Sequence, residues 1–216
     1  EPVADLETVR AWCEPLPDDV SAYAAILVMG GPMGANDGPT VPWIDDEVAF
    51  LRTAIDAGVP VWGACLGSQL LAKALGGRVW TGPEPELGVC TVELTDAGRA
   101  DPVWSAVETT SVNVLQWHYD TFELPPGAQL LASSAAFPNQ LFRVGKCYGV
   151  QFHLEVDTDL IAEWLAIPEY REDVVRVLGP DGPEHIVSDL EKIETVTRAM
   201  ASAAMSRWIS LITSAD

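Results

Sequence analysis

One short peptide, Gly-Ala-Cys-Leu-Gly at residues 63–67, constrains the fold of this chain more than any other feature. It stands between an apolar run at residues 59–62, typical of a buried strand, and a helical pattern at residues 66–75. A passage from strand to helix in so few residues strains the residue at its apex and brings the flanking chains close together, which favours glycine on both sides. The peptide therefore predicts a sharp strand-turn-helix unit with Cys65 at its apex.

The segments before this unit follow the same order. An apolar run at residues 23–29 predicts a buried strand that stops at a Gly-Gly-Pro loop, residues 30–32. Residues 45–57 predict an amphipathic helix with a glycine just past its end. Strand, loop, helix, strand, turn and helix in succession is the pattern of α/β proteins. We therefore expect an α/β, three-layer sandwich with a mostly parallel central sheet.

The rest of the chain adds strands and then helices. Residues 159–165 predict a helix that closes the main domain, and after a break rich in glycine and proline, residues 188–212 return to helical periodicity. We therefore expect a main domain over residues 1–167 and a helical C-terminal extension over residues 168–216, either a cap on the sheet or an interaction helix for a partner subunit. Short apolar runs predict five further strands, several of them antiparallel because their links are short: residues 78–80, 90–94, 129–132, 139–144 and 148–152.

The N-terminal segment does not fit this order. Residues 3–12 predict a helix, but no strand precedes it, and only a short link joins it to the strand at residues 23–29. A parallel sheet built from strand-helix-strand units needs a strand before its first helix and another after it. We therefore expect that the first strand of the sheet, and part of the region that follows it, are missing from this sequence.

Charge and hydropathy exclude several classes of partner. The chain has 12 Lys and Arg against 32 Asp and Glu, a net charge of −20, so a nucleic-acid backbone or an anionic membrane surface would be repelled. The longest apolar runs are too short to cross a membrane, and no basic segment followed by an apolar one opens the sequence. We therefore expect a cytoplasmic protein that binds neither nucleic acid nor membranes. The four cysteines lie far apart without metal-site spacing, so no metal is expected.

Cys65 has the surroundings of a nucleophile. A helix that begins at Cys65 directs its free backbone N–H groups toward the sulfur and favours the reactive thiolate. By this pattern alone, an inert buried thiol is an equally good interpretation. A catalytic thiol also needs a base, and the base needs an acceptor that orients it.

The segment Gln-Phe-His-Leu-Glu at residues 151–155 supplies both groups. His153 and Glu155 follow a predicted strand and lie two residues apart, so in an extended chain their side chains point to the same side. Two other histidines occur in the chain. His185 is expected to be an ordinary surface histidine, and His118 to be packed or hydrogen-bonded, with contact to a substrate or partner as the alternative.

The segments at residues 30–32, 63–69 and 151–155 together resemble the motifs of the class I (triad-type) glutamine amidotransferases, and the resemblance covers residues 23–165. The segments at residues 30–33, 86–88 and 117–122 are most similar to stand-alone proteins that resemble the amidotransferase domain of GMP synthase. The resemblance implies a flavodoxin-like arrangement. It also implies hydrolysis of the glutamine side-chain amide through a γ-glutamyl thioester, with no metal or organic cofactor.

The resemblance also implies roles for single residues. Cys65 would attack the amide carbon, His153 would take the thiol proton and later protonate the leaving ammonia, and Glu155 would hold the imidazole. The ammonia would pass to a partner synthetase subunit, and a homo-oligomer is compatible with the resemblance. The backbone N–H groups of Gly31 and Leu66 would bind the oxyanion. The implied substrate contacts are Gln69, Gly30 and Gly67.

The sequence also departs from the family pattern. Leu154 stands where the family often has proline, which leaves the spacing of the triad intact, and Ser68 stands where His or Ala is more usual, which bears on substrate preference. No ATP-pyrophosphatase signature follows. Two alternatives stay open: a γ-glutamyl peptide or γ-glutamyl amide hydrolase with the same triad, and a non-catalytic regulatory module with the same fold.

Overall fold

A seven-stranded sheet organises the described residues, which are 5–107 and 109–213 of this computed structural model. Its strands are β1 (Ile26–Val28), β2 (Val61–Ala64), β3 (Val79–Leu94), β4 (Ser111–Phe122), β5 (Gln129–Ser134), β6 (Leu141–Val144) and β7 (Cys147–Val150). The α-helices of this part of the chain are α1 (Trp43–Asp56), α2 (Leu66–Ala74), α3 (Asp96–Ala100), α4 (Thr158–Leu165), α5 (Pro168–Leu178) and α6 (Gly182–Thr213).

The strand order across the sheet is β1-β2-β7-β6-β5-β3-β4. β2 pairs in parallel with β1 and with β7, whereas the other neighbouring strands pair in antiparallel fashion. The α/β class is confirmed, but the sheet is mixed rather than mostly parallel. The reason is the length of the connections, because parallel neighbours need a crossover segment, whereas a tight turn joins β6 to β7.

Helices cover both faces of the sheet. Neighbouring residues of a strand point to opposite faces, so Val61 packs among buried residues of α1 and α2, while Trp62 packs on the other side. There Trp62 meets Trp208 of α6, with ring centroids 5.5 Å apart. The three-layer arrangement is therefore confirmed, and the helical C-terminal segment forms part of its outer layer.

Two strands differ from their predictions. Residues 78–80 and 90–94 were predicted as separate strands, but they lie in the single strand β3, which bends at a register shift between Thr81 and Glu86. Prolines 83 and 85 are tolerated there because both fall within this register shift, where neither is paired with a neighbouring strand. The sequence did not predict β4, because polar residues such as Gln116 and His118 are buried in it and hide its strand pattern.

The helix predicted for residues 3–12 is wrong over residues 5–12, which are irregular and end in a turn; residues 1–4 lie outside the described part. The apolar side chains Leu6 and Trp12 remain 78% and 63% exposed, so no packing stabilises a helix there. Conversely, α5 has no counterpart among the predicted helices, although Pro168 at its start is well suited to a first helical turn.

Helix α6 begins at Gly182, earlier than the predicted start at residue 188, and ends at Thr213. Although α6 has 32 residues, no helix in residues 5–107 and 109–213 is both long and apolar enough to cross a membrane.

The contact between α6 and the sheet predicts a large effect of one substitution. Trp208 is 2% exposed, and its indole N–H donates to the Lys146 carbonyl oxygen at 2.8 Å. We expect Trp208→Ala to lower the free energy of unfolding by about 4 kcal/mol, as measured by chemical denaturation. Val196→Ala, on an exposed side of the same helix, should change it by less than about 0.5 kcal/mol, and equal effects of the two changes would contradict this packing.

Candidate active site

Three segments singled out in the sequence meet at one edge of the sheet. β1, β2 and β7 are adjacent and parallel, so their carboxyl ends lie side by side. Gly30 follows β1, Cys65 directly follows β2, and His153 follows β7. Ligand sites of open α/β sheets lie at this edge.

Cys65 occupies the strained apex that the peptide predicted. Its φ of +51° makes it the one non-glycine residue with positive φ in the described ranges. Both flanking glycines are required by space, because a Cβ on Gly63 would strike the carbonyl of Gly67, and a Cβ on Gly67 would strike the carbonyl of Val28. The backbone N–H of Cys65 donates to Val150 at 2.8 Å, which ties the turn to β7.

His153 and Glu155, which the sequence predicts as a base and its orienting acceptor, form a hydrogen-bonded pair. Nδ1 of His153 lies 2.7 Å from Oε1 of Glu155, and the other carboxylate oxygen accepts the backbone N–H of Leu154 at 2.9 Å. With Nδ1 occupied, Nε2 is left free to serve Cys65, whose charge acts on the pKa of the imidazole. The Cys65 thiol itself donates to the Trp117 carbonyl oxygen at 3.8 Å. A Cβ on Gly30 would lie 3.5 Å from the His153 ring and 3.8 Å from the Cys65 sulfur, so this glycine gives both groups room.

The charges of Cys65, His153 and Glu155 shift the pKa values of the histidine and the glutamate. Burial alone would lower the pKa of His153, but the charges of Cys65 and Glu155 outweigh it and hold that pKa well above its usual value. Burial would raise the pKa of Glu155, but His153 and two backbone N–H groups outweigh it and hold it below its usual value. The arrangement therefore favours an imidazolium held by a carboxylate beside the sulfur.

A cavity of about 730 Å³ opens over Cys65 and His153. Gly30, the predicted substrate contact, and Gly31 and Leu66, the predicted oxyanion donors, are among the residues that line it. Gln69 lines it too, but its side-chain N–H₂ group already donates to the carbonyl of Asp120 at 3.3 Å and to the side chain of Gln151 at 3.2 Å.

The two other predicted contacts, Gly67 and His118, are both buried. Gly67 is buried, is not among the residues that line the cavity, and makes its close approach to the backbone of β1. His118 lines the cavity, but both of its ring nitrogens already have hydrogen-bond partners. Its Nε2 lies 3.2 Å from Glu86, and its Nδ1 lies 2.9 Å from the carbonyl oxygen of Asp120. Phe137 packs against the same ring at 4.8 Å. His118 is thus the packed, hydrogen-bonded histidine that the sequence favoured, and His185 does not line the cavity.

Sequence reasoning missed one wall of the cavity. Trp117 and Tyr119 of β4 line it together with Trp164 of α4 and Tyr170 of α5. The pair Trp117 and Trp164 and the pair Trp117 and Tyr170 each have ring centroids 5.8 Å apart. No local pattern marks these residues as neighbours, because separate segments contribute the lining and its aromatic side chains resemble ordinary core residues in sequence.

No group of three or more His, Cys, Asp or Glu side chains within residues 5–107 and 109–213 is placed to hold a metal ion.

Comparison with known proteins places this arrangement in a family. The family model described as "Glutamine amidotransferase class-I" matches residues 5–163. The glutamine amidotransferase-like protein YfeJ of Salmonella typhimurium is 34% identical over 68% of this chain and 63% of its own length. One subunit of the glutamine-hydrolysing GMP synthase of Pyrococcus abyssi is 30% identical over 74% of this chain and 77% of its own length.

The fold is shared with solved structures. The crystal structure of a glutamine amidotransferase from Thermotoga maritima has a TM-score of 0.79 and 31% identity, and the match covers 91% of this chain and 82% of that one. The chain spans less than two thirds of the first relatives it matches, since the match covers only 24% of the GMP synthase of Rhodopseudomonas palustris, which is 37% identical over 61% of this chain.

The geometry predicts that Cys65 is the most reactive buried thiol. Burial and Glu86 raise the pKa of Cys90 to about 11, and burial also raises the pKa of Cys147. In a Cys13→Ser background, which removes the exposed thiol, iodoacetamide at neutral pH should label Cys65 first, as measured by peptide mass spectrometry. Equal labelling of the three remaining thiols would contradict the prediction.

The pH dependence of this labelling tests the role of His153. Because its pKa is raised, the imidazolium should persist at neutral pH and lose its charge only as the pH rises further. We expect His153→Asn to slow Cys65 labelling at pH 7 by about tenfold and the difference to shrink as the pH rises. A His153→Asn rate equal to that of the unchanged protein at pH 7 would exclude assistance by the imidazole.

Proposed function

The chain belongs to the class-I glutamine amidotransferase family, and from this premise we propose that it hydrolyses the side-chain amide of glutamine to glutamate and ammonia. The observation that carries the proposal is the placement of Cys65 at a strained turn beside the hydrogen-bonded pair His153 and Glu155, inside a cavity. A thiol, a base and an orienting acceptor in this order are the elements of cysteine-dependent acyl transfer.

In the proposed reaction the Cys65 thiolate attacks the amide carbon of the substrate. The carbon–nitrogen bond breaks as Nε2 of His153 gives its proton to the departing amine, which leaves a γ-glutamyl thioester. A water molecule then attacks the thioester, His153 takes its proton, and glutamate leaves as the proton returns to the sulfur. Glu155 holds the imidazole in one orientation and stabilises its positive charge in both steps.

The oxyanion of each tetrahedral intermediate needs donors that are already in place. We assign this role to the backbone N–H groups of Gly31 and Leu66, because both residues line the cavity and are neighbours in space: a Cβ on Gly31 would be 3.4 Å from the Leu66 side chain. Gln69 and Gly30 remain the proposed contacts of the substrate, whereas Gly67 would act by letting the turn pack against β1.

The destination of the ammonia is a second part of the proposal. The relative from Pyrococcus abyssi is named as one subunit of a GMP synthase, and its match covers most of that subunit's length. A partner synthetase that receives ammonia from this chain is the corresponding proposal here, and we keep the cytoplasm as the proposed location.

A γ-glutamyl amide or γ-glutamyl peptide is the second candidate substrate class. The observation that favours it is the extent of the cavity, which reaches from Cys65 past Trp117 to residues of α5. Such a substrate would use the same triad, with a larger amine in place of ammonia as the leaving group.

The decisive experiment measures glutamate release from glutamine and from γ-glutamyl amides by the unchanged protein. Cys65→Ala should abolish release, a loss of about 10⁴-fold or more, and Glu155→Gln should reduce it at least about a hundredfold. Asp189→Asn, at a half-exposed carboxylate of α6 that pairs with Lys192, is a matched change of carboxylate to amide that should leave the rate unchanged. Release that persists in Cys65→Ala would exclude the thioester route, and no release from any substrate, with an unreactive Cys65, would indicate a non-catalytic module.

A further inference from the structure

Helix α5 lies beyond the residues that the family model matches, yet it forms part of the cavity. The match ends at residue 163, whereas Glu169, Tyr170 and Asp173 of α5 line the cavity. The sequence pattern assigns this segment to the extension rather than to the site. The substrate pocket is thus completed by a part of the chain outside the matched range.

Direct bonds fix α5 to the cavity wall. The Trp117 indole N–H donates to Asp173 at 3.1 Å, and the Tyr119 hydroxyl donates to the same carboxylate at 2.6 Å. Arg176 forms an ion pair with Asp173, and its guanidinium lies 5.6 Å from the centre of the Tyr119 ring. Val174, between these residues, is fully buried. The wall is therefore a built part of the fold.

The position of His153 fixes which part of the substrate meets this wall. The leaving amine must take its proton from His153, so the amine has to lie beside that ring. Trp164 packs edge-on against His153, with centroids 5.5 Å apart, and Trp117 links Trp164 to Tyr170. Any group attached to the leaving nitrogen would therefore extend along this aromatic wall.

The charges around the cavity are one-sided. No Lys or Arg is among its described lining residues. Glu155 is neutralised by His153, and Asp173 by Arg176, but Asp37, Asp120 and Glu169 have no cationic partner among the ion pairs of the described chain. A leaving group with a carboxylate would meet like charge here, while the cations nearby, His153 and Arg176, already pair with Glu155 and Asp173.

We propose that the α5 wall, with Tyr170 as its specificity-determining residue, selects γ-glutamyl amides whose amine part is apolar or cationic and rejects those whose amine part bears a carboxylate. This inference rests on the proposed function, because it concerns the leaving group of the same reaction. It favours γ-glutamyl amides over γ-glutamyl peptides, the two kinds of substrate in the second candidate class, because the leaving group of a γ-glutamyl peptide carries a carboxylate.

Three probes of equal chain length test the charge preference: γ-glutamyl-butylamide, which is neutral at its end, γ-glutamyl-putrescine, which is cationic, and γ-glutamyl-γ-aminobutyrate, which is anionic. The measurement is the concentration of each that halves the rate of Cys65 alkylation by iodoacetamide, so turnover is not required. The neutral and cationic probes should protect Cys65 at about tenfold lower concentration than the anionic one. Equal or better protection by the anionic probe would overturn the proposal.

Variants of α5 test the wall itself. Tyr170→Ala should raise the concentration of the butylamide that halves Cys65 alkylation about tenfold, when each variant is normalised to its own alkylation rate without any probe. Glu169→Gln should reduce the difference between the anionic and cationic probes in the concentration that halves the rate of Cys65 alkylation. Val175→Ala, on the same helix but away from the cavity, is the matched control. If the butylamide protects Tyr170→Ala as well as it protects the unchanged protein, Tyr170 does not determine specificity.

Hydrolysis of the same probes separates the two proposals. If glutamate is released from glutamine and from all three probes with equal efficiency, the proposed function stands and the specificity inference fails. If nothing is hydrolysed but the predicted order of protection is observed, the α5 wall selects as proposed and the hydrolytic function fails.

Discussion

The close contact between backbone atoms at the Cys65 turn is the constraint on which the rest of the structure depends. Gly63 and Gly67 lie so near to neighbouring carbonyl groups that no side chain fits at either position. This contact lets α2 begin against β1 and holds Cys65 at positive φ, with its sulfur at the edge of the sheet. Strain of this kind persists only where the surrounding structure enforces it.

The parallel strands of the sheet bring the Cys65 turn together with the other components of the candidate site. In the described chain, only β1, β2 and β7 run in the same direction as neighbours, and each delivers one component at its carboxyl end: the glycine loop, the thiol, and the histidine with its glutamate. The antiparallel strands contribute differently, since β4 brings Trp117, His118 and Tyr119 to the cavity wall. The mixed sheet thus supplies the glycine loop, the thiol and the His153–Glu155 pair from its parallel strands, and the wall of the cavity in part from β4.

Local chemistry made the core of the site predictable. The turn at Cys65 and the pairing of His153 with Glu155 depend on residues close in sequence, and such geometry can be derived from φ restrictions and strand periodicity. The family resemblance then linked segments that are far apart. The glycines that flank Cys65 and the buried His118 were predictable for the same reason, because steric and hydrogen-bonding demands restrict the residue types allowed at those positions.

The features that the sequence did not predict depend on tertiary contacts. β4 was missed because its buried face carries polar side chains that bond to others, as Gln116 does with Gln140 at 2.9 Å, and periodicity alone cannot detect such a strand. The wall formed by α5 depends on a carboxylate, Asp173, that looks like any surface residue in sequence until its two donors on β4 are seen.

The packing of Trp208 against Trp62 has a consequence for the order in which the protein becomes complete. Trp62 closely precedes the turn that carries Cys65, while Trp208 lies near the far end of α6. During synthesis Cys65, His153 and Glu155 all leave the ribosome well before Trp208, whose ring covers Trp62. Contacts between residues so distant in sequence form late. A nascent chain therefore already contains Cys65, His153 and Glu155 while the Trp62 side of β2 still lacks its contact with α6, and α6 covers that side last.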